Sequence, residues 1–149
     1  MNTIKRHTAD IEYEQMLLSR YFVAQHRRGN GLDRSAYLIL SHIDARGPMT
    51  IGELSSALRL DASTLQRQVA AIVRDGLLER GLDPNGSAAR KLTMTSHGRD
   101  MLETDRDGYI QDLDAITADW SAEDVNTFAE LLRRYNGAIE EFRDVKNSR

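Results

Sequence analysis

Apolar residues recur three or four positions apart in six stretches of the chain, and they roughly alternate with polar residues in two short ones. The first spacing is typical of helices that bury one side, and alternation is typical of strands. The pattern therefore predicts a mainly α protein with one small β-hairpin. The predicted helices cover about residues 9–26, 33–45, 50–58, 62–75, 97–117 and 121–145, and the strands cover 77–82 and 90–95.

The two central helices have clear start and stop signals. Thr50 and Glu53 form a Thr-x-x-Glu box, the reciprocal cap of a helix start. Asp61 is suited to begin the next helix, because its carboxylate can accept free backbone N–H groups there. Gly76 is suited to end that helix. Two short helices joined by a tight turn form a helix-turn-helix pattern.

The flanking helices carry similar signals. Asp33, Ser96 and Ser121 are residue types that cap the start of a helix, and each precedes a predicted one. We therefore expect these three residues to be N-caps. The apolar side of the helix over 33–45 is predicted to consist of Tyr37, Leu38, Leu40 and Ile43.

The second central helix has two chemically different sides. Leu65, Val69 and Ile72 share one side, which we expect to be buried. The other side has a composition that can approach DNA closely and donate hydrogen bonds to bases and phosphates. A solvated face of an ordinary amphipathic helix is the alternative. This side and its flanks consist of Ser63, Thr64, Gln66, Arg67, Gln68, Ala70, Ala71 and Arg74.

A hairpin follows directly, with the turn-forming residues 83–89 between its strands. A helix-turn-helix followed by a hairpin is a winged helix-turn-helix. The sequence from Ile51 to Arg80, together with residues 83–98, resembles the MarR (multiple-antibiotic-resistance regulator) family of transcription factors. Asp83-Pro84, Met94-Thr95 and Gly98 resemble the family's wing and its exit, and the resemblance extends to the flanking helices.

The resemblance implies a homodimeric repressor on a pseudo-palindromic operator, with the two recognition helices about 34 Å apart in successive major grooves. It implies a single domain, in which residues 33–96 are the winged helix-turn-helix and residues 1–30 and 97–149 are dimerisation helices. It also implies a small, often aromatic, ligand between the dimer helices and the winged part. Candidates to line that site are Tyr13, Tyr21, Tyr37 and Tyr109, with core packing as their alternative role.

The resemblance also selects residues for DNA contact. Arg67 matches an arginine common at this position in the family, and a good base contact is worth about 1–3 kcal/mol. Relatives place an Asp and an Arg near the wing tip, where this chain has Gly86 and Ala88. We expect either that Arg90 replaces the missing wing arginine in the minor groove or that the wing touches only the DNA backbone. The predicted DNA-binding residues are Ser63, Thr64, Gln66, Arg67, Gln68, Arg74, Arg90 and Lys91.

Composition limits the class of protein. A chain of 149 residues is long enough for one domain with a real core, and no apolar run approaches the roughly 20 residues of a membrane span. The first residues lack the apolar stretch of a signal peptide, so we expect a cytoplasmic protein. The absence of cysteine excludes disulfides, thiolate metal sites and a cysteine redox switch.

The net charge of −3 is unevenly distributed along the chain. Residues 97–149 carry a net charge of −6, whereas residues 1–49 and 50–96 carry +2 and +1. The acidic third is separate from the predicted DNA-binding residues, which are themselves only weakly basic. We therefore expect a modest electrostatic contribution from each subunit, which makes DNA binding as a dimer more necessary.

The last predicted helix carries an apolar stripe over five turns, and the first is apolar on more than one side. Terminal helices with so much apolar surface need a partner, and a two-fold homodimer also suits paired recognition helices. Packing within one chain is the alternative. The predicted dimerisation residues are Ile11, Leu18, Phe128, Leu132, Tyr135 and Ile139.

The sequence offers little for catalysis. None of the four histidines is paired with another histidine or an acid at metal-ligand spacing, and there is no nucleophile elbow or phosphate-binding glycine loop. We therefore expect no enzyme activity, bound metal or cofactor. Two alternatives stay open: a winged-helix module that binds a protein instead of DNA, and a ligand-binding or metal-dependent enzyme that uses the acidic segment 100–114.

Overall fold

The computed structural model describes residues 6–25, 31–82 and 90–148. Within these ranges the chain forms six helices and a two-stranded antiparallel sheet, which confirms the predicted mainly α fold with a hairpin. Every predicted boundary that falls on a described residue lies within two residues of the observed one. The elements are α1 (Thr8–Gln25), α2 (Arg34–Arg46), α3 (Ile51–Leu58), α4 (Ala62–Arg74), β1 (Leu78–Leu82), β2 (Arg90–Met94), α5 (Ser96–Ile116) and α6 (Ala122–Asn147).

The chain divides into two compact units between Arg106 and Asp107. The first unit contains the hydrophobic core, which α2, α3, α4, the hairpin and the start of α5 share. Full burial of each large aliphatic side chain there contributes about 1.5–3 kcal/mol. This core gives α4 a rigid support. Its residues are Leu32, Ala36, Ile39, Leu40, Ile43, Met49, Leu54, Leu65, Val69, Ile72, Leu77, Leu78, Leu92 and Leu102.

Four helices begin after a polar residue whose side chain accepts a backbone N–H of the first turn. This bond satisfies one of the donors that every helix start leaves unpaired. The predicted caps of α2, α3, α4 and α6 are thereby confirmed. Asp33, Thr50, Asp61 and Ser121 accept from the N–H groups of Ala36, Glu53, Thr64 and Asp124, respectively.

The turn between α3 and α4 is only three residues long, 59–61. Arg59 has a φ of 53°, in the left-handed region that non-glycine residues rarely adopt. The backbone carbonyl of Ser55 accepts the N–H of Leu60 at 3.2 Å, and the Ser55 hydroxyl donates to the Leu60 carbonyl at 2.7 Å. These bonds offset the cost of the left-handed residue and set the direction in which α4 begins.

Two predicted details are wrong. Ser96 is the first residue of α5 and not its cap; the capping hydroxyl is that of Thr95, whose Oγ1 accepts the Gly98 N–H at 3.0 Å. Thr95 is favoured because the same hydroxyl also donates to the carbonyl of Gly76. Leu38 is 42% exposed, since it lies across α2 from the core side. That side consists of Ala36, Ile39, Leu40 and Ile43.

The hairpin is attached to the segment before α3. In its register, Leu78 faces Met94, Arg80 faces Leu92 and Leu82 faces Arg90. The Leu92 N–H donates to the carbonyl of Met49 at 2.7 Å, and the Met49 N–H donates back at 3.3 Å. The base of the hairpin is therefore held beside the helix-turn-helix.

Helices α1 and α6 each contain no buried residue. Among the described residues, seven exposed large hydrophobic side chains lie on α1 and six on α6. Ridges of apolar side chains normally stabilise a helix by packing against another element. Each of the two helices therefore presents an apolar surface that needs cover.

Some predictions concern residues outside the described ranges. These include the end of the first helix at His26 and the wing tip with Gly86 and Ala88. In the part of the chain that is described, no helix has the length and apolar character needed to cross a membrane. Nor do these residues form a group of three or more His, Asp or Glu side chains that could hold a metal ion.

Candidate nucleic-acid interface

Helix α4 turns one side into the core and leaves the other open. Leu65, Val69 and Ile72 are at most 4% exposed, so the predicted buried side is confirmed. The open side combines two guanidinium groups with a hydroxyl, an amide and a methyl group. Because Ala70 is short, a flat partner can approach this side closely. The exposed residues are Ser63, Gln66, Arg67, Ala70 and Arg74.

The start of α4 is organised by the Asp61 carboxylate. It accepts the Thr64 N–H at 3.3 Å and the hydroxyl of Ser63. Hydrogen bonds from Ser63 and then from Thr64 lower the pKa of Asp61, so this carboxylate is ionised at neutral pH. The Ser63 hydroxyl proton is therefore used within the cap. In this conformation Ser63 offers a partner its oxygen lone pairs, and a phosphate contact from its proton would require release from Asp61.

An open pocket of about 290 Å³ lies where α4, the hairpin and α3 meet. Gln66, Arg80 and Arg90 line it, with Ile51 and Leu92 as its apolar part. All three polar side chains are exposed, and two of them carry a full positive charge. Guanidinium groups with an amide beside them form a donor set for a phosphate or carboxylate.

Arg80 is a functional candidate that the sequence analysis missed. Its strand was recognised, but the pattern did not reveal which side of the hairpin it occupies. Arg80 stands opposite the buried Leu92, and residues opposite each other in an antiparallel pair share a face. Arg90 shares that face because it is two positions from Leu92. The alternation of side chains along each strand, combined with the register of the hairpin, places Arg80 and Arg90 on the same face.

Gln68 lies apart from the other predicted DNA-binding residues. It lines a second cavity of about 310 Å³, between α4 and the starts of α2 and α5. Its Oε1 is buried and has no hydrogen-bond partner among the described residues. Burial of an unpaired amide oxygen is costly, so this atom would gain from a donor that enters the cavity. Asp33, Asp75 and His97 also line the cavity.

The remaining predicted residues are distributed around the same unit. Lys91 stands opposite Gly81, on the other face of the hairpin from Arg80 and Arg90. Arg74 occupies the last turn of α4. The structure thus brings Gln66 and Arg90 together and places Arg67 on the open side of α4. It separates Gln68 and Lys91 from them, and the DNA contacts of all these residues stay predictions.

Comparison with known proteins gives concordant matches. The sequence profile of the MarR family matches residues 30–87. YxaD, an uncharacterized HTH-type transcriptional regulator of Bacillus subtilis (strain 168), is 34% identical over 132 residues, covering 87% of this chain and 92% of YxaD. A MarR family protein from Bacillus stearothermophilus is similar in structure, with a TM-score of 0.73, 21% identity and coverage of 91% and 99% of the two chains.

Wild-type MarR (apo form) from E. coli is also similar in structure, with a TM-score of 0.67 and 22% identity, over 89% of this chain and 98% of that one. The two solved structures support the winged-helix fold, and the relationship to YxaD spans nearly the whole of both chains. The family resemblance seen in the sequence is confirmed. The chain therefore belongs to the MarR family of transcriptional regulators.

Proposed function

We propose that this protein is a sequence-specific DNA-binding repressor that acts as a homodimer on a pseudo-palindromic operator in the cytoplasm. The observation that carries the proposal is the grouping of Gln66, Arg80 and Arg90 in one pocket beside the open side of α4, on which Arg67 is exposed. Arg67 reads base edges in the major groove, where a bidentate arginine–guanine pair is worth about 1–3 kcal/mol. Ser63, Thr64 and Arg74 contribute contacts along the same helix.

The pocket lined by Gln66, Arg80 and Arg90 binds a backbone phosphate beside the major groove. Each neutralised phosphate releases condensed counterions, which gives affinity without sequence preference. Arg90 lies at the base of the wing, and with Lys91 it supplies the wing's positive charge. In this proposal the wing follows the backbone, and base recognition comes from α4.

In the proposed homodimer, each chain contributes one DNA-binding surface. The proposed contact surface consists of the apolar residues of α1 and α6, including Ile11 and Phe128, which are 53% and 43% exposed. Their burial would remove large apolar side chains from water, the main source of affinity in obligate dimers. In this division residues 33–96 bind DNA, and residues 1–30 and 97–149 form the dimer. The other proposed dimer residues are Leu18, Leu132, Tyr135 and Ile139.

A small ligand releases the repressor in this proposal. The cavity of about 310 Å³ behind α4 has the volume of a small-molecule site, and Gln68 belongs to the recognition helix itself. The unpaired Gln68 Oε1 favours a ligand with an N–H donor. Benzamide and acetophenone are a matched neutral pair of probes, because only benzamide has that donor. Benzamide should weaken DNA binding more than acetophenone, and Gln68→Leu should reduce the difference.

The experiment that tests the proposed function is enrichment of random-sequence duplexes by the full-length protein. The duplexes need room for two half-sites one helical turn apart. A two-fold symmetric consensus, bound by two chains and weakened by salt, is the expected result. Failure to enrich any duplex at low salt would reject DNA binding and favour a winged-helix module that binds a protein.

A further inference from the structure

One carboxylate on α2 accepts hydrogen bonds from two arginines of α5. Asp44 Oδ1 lies 3.0 Å from a guanidinium nitrogen of Arg99, and Oδ2 lies 3.1 Å from one of Arg106. The Asp44 side chain is only 25% exposed, so solvent screens these ion pairs incompletely. The Arg99 guanidinium, and after it that of Arg106, lowers the pKa of Asp44, which is therefore charged at neutral pH.

The spacing of the two arginines makes this contact restrictive. Arg99 and Arg106 are seven residues apart, close to two helical turns, so they project from the same side of α5 about 10 Å apart along its axis. A single ion pair would let α5 pivot about one point. Two donors on one carboxylate restrain both the rotation of α5 and its sliding along α2.

A second carboxylate holds the segment that leads into α2. Asp105 on α5 accepts the backbone N–H of Leu32 at 2.7 Å, directly before the cap residue Asp33. A Cβ at Gly31 would lie 2.7 Å from an Asp105 carboxylate oxygen, so a larger residue there would displace this carboxylate. Helix α2 is thus tied to α5 before its first turn and again in its last turn, at Asp44.

The start of α5 is also tied to the end of the recognition helix. The Thr95 hydroxyl donates to the Gly76 carbonyl at 2.6 Å, and the Thr95 N–H donates to the Leu77 carbonyl at 3.1 Å. Both acceptors follow α4 within three residues of its end. A rotation of α5 relative to α2 would therefore displace the residues that anchor α4.

We propose that Asp44 is a positioning residue for DNA binding: through Arg99 and Arg106 it sets the orientation in which α4 meets the major groove, without touching DNA. This inference rests on the proposed function. It predicts a change in DNA affinity on removal of the Asp44 charge that is opposite in sign to the change expected from charge alone. Removal of a negative charge favours binding to a polyanion, whereas loss of the positioning contact weakens it.

The test compares Asp44→Asn with wild type on the duplex that the wild-type protein enriches. We expect about tenfold weaker binding, within the range found for residues that couple sites without touching the ligand. The slope of affinity against salt should be unchanged, because no phosphate contact is lost. The matched control is Asp100→Asn, an exposed aspartate of α5, which should bind as wild type or slightly more tightly.

A double-mutant cycle separates positioning from general weakening of the fold. If Asp44 acts through the two arginines, Asp44→Asn should cost nothing further in an Arg99→Gln, Arg106→Gln background. Thermal melting establishes that each variant is folded at the assay temperature. If Asp44→Asn does not fold, Arg99→Gln removes the more exposed donor; it should weaken binding with an unchanged salt slope, whereas loss of a direct phosphate contact would reduce that slope.

Equal or tighter DNA binding by folded Asp44→Asn would overturn the inference, and so would additive losses in the cycle. Either result with a wild-type protein that binds its duplex would leave the proposed function intact. A wild-type protein that enriches no duplex would instead reject the proposed function and this role together. The wild-type titration therefore distinguishes the two failures.

Discussion

The Thr95 hydroxyl lies 2.6 Å from the carbonyl oxygen of Gly76, and this hydrogen bond joins the start of α5 to the segment directly after α4. The same Oγ1 accepts the Gly98 N–H, so one side chain both caps α5 and holds it against the end of α4. The backbone of α5 can lie this close to the Leu77 carbonyl because residue 98 is glycine. A Cβ there would lie 2.1 Å from the backbone carbonyl oxygen of Leu77.

Gly98→Ala should therefore destabilise the protein by about 1–3 kcal/mol, the usual cost of overpacking. Alanine in a helix interior normally gains up to about 1 kcal/mol over glycine, so the close contact reverses the sign. Gly108→Ala on the same helix is the control, since a Cβ at Gly108 meets nothing within 4 Å. Chemical denaturation measures both. A stabilised Gly98→Ala variant would contradict the packing described here.

Arg80→Ala should weaken binding to every duplex by a similar factor and reduce the magnitude of the salt slope by about 1, as expected for one lost phosphate contact. Arg80→Lys retains a point charge for the phosphate and should keep most of the affinity. Fluorescence anisotropy at several salt concentrations gives both quantities. An unchanged salt slope in Arg80→Ala would remove Arg80 from the interface.

Leu132→Glu places a carboxylate within the apolar stripe of α6 and should weaken the dimer at least about a hundredfold in dissociation constant, because burial of an unpaired charge is very costly. Arg133→Glu adds the same side chain one position away, about 100° around the helix and off the stripe. It should leave the dimer intact. Sedimentation equilibrium separates the outcomes; a Leu132→Glu protein that remains dimeric would exclude α6 from the interface.

Wild type and Asp44→Asn should differ in free energy of unfolding by about 1 kcal/mol at neutral pH. The folded-state pKa of Asp44 is lowered from its ordinary value of 3.8, so its contribution is complete above that value and is lost as pH falls through the lower, folded-state pKa. Denaturation at a series of acidic pH values should show the two proteins converging. If the two free energies of unfolding still differ in strong acid, the difference does not arise from the Asp44 charge.

Helix starts were predictable from sequence because their determinants are local. Asp33, Thr50, Asp61 and Ser121 each bond an N–H three residues ahead, so residue type and spacing sufficed. At the start of α5 two adjacent hydroxyls compete, and Thr95 rather than Ser96 is the cap because its hydroxyl also reaches Gly76. That contact joins residues 19 positions apart, which no local pattern reveals.

In the candidate site, too, some positions were predictable from local pattern and others depend on long-range packing. The exposure of Arg67 followed from helical angles alone, since the opposite side carries Leu65, Val69 and Ile72. Arg80 required the register of the hairpin. Gln68 lies at the border of the two sides of α4, and its burial is decided by α2 and α5, which pack beside it. Long-range packing therefore decided the positions that sequence analysis missed or left on the flank.

The measurement that tests the central claim most directly is titration of the enriched duplex with wild type and Arg67→Ala at two salt concentrations. Wild type should bind as a dimer and more weakly at the higher salt, and Arg67→Ala should lose at least about tenfold in affinity. Arg133→Ala, an exposed arginine on α6, should bind as wild type. Equal affinity of Arg67→Ala and wild type would contradict the assignment of α4 as the helix that reads DNA.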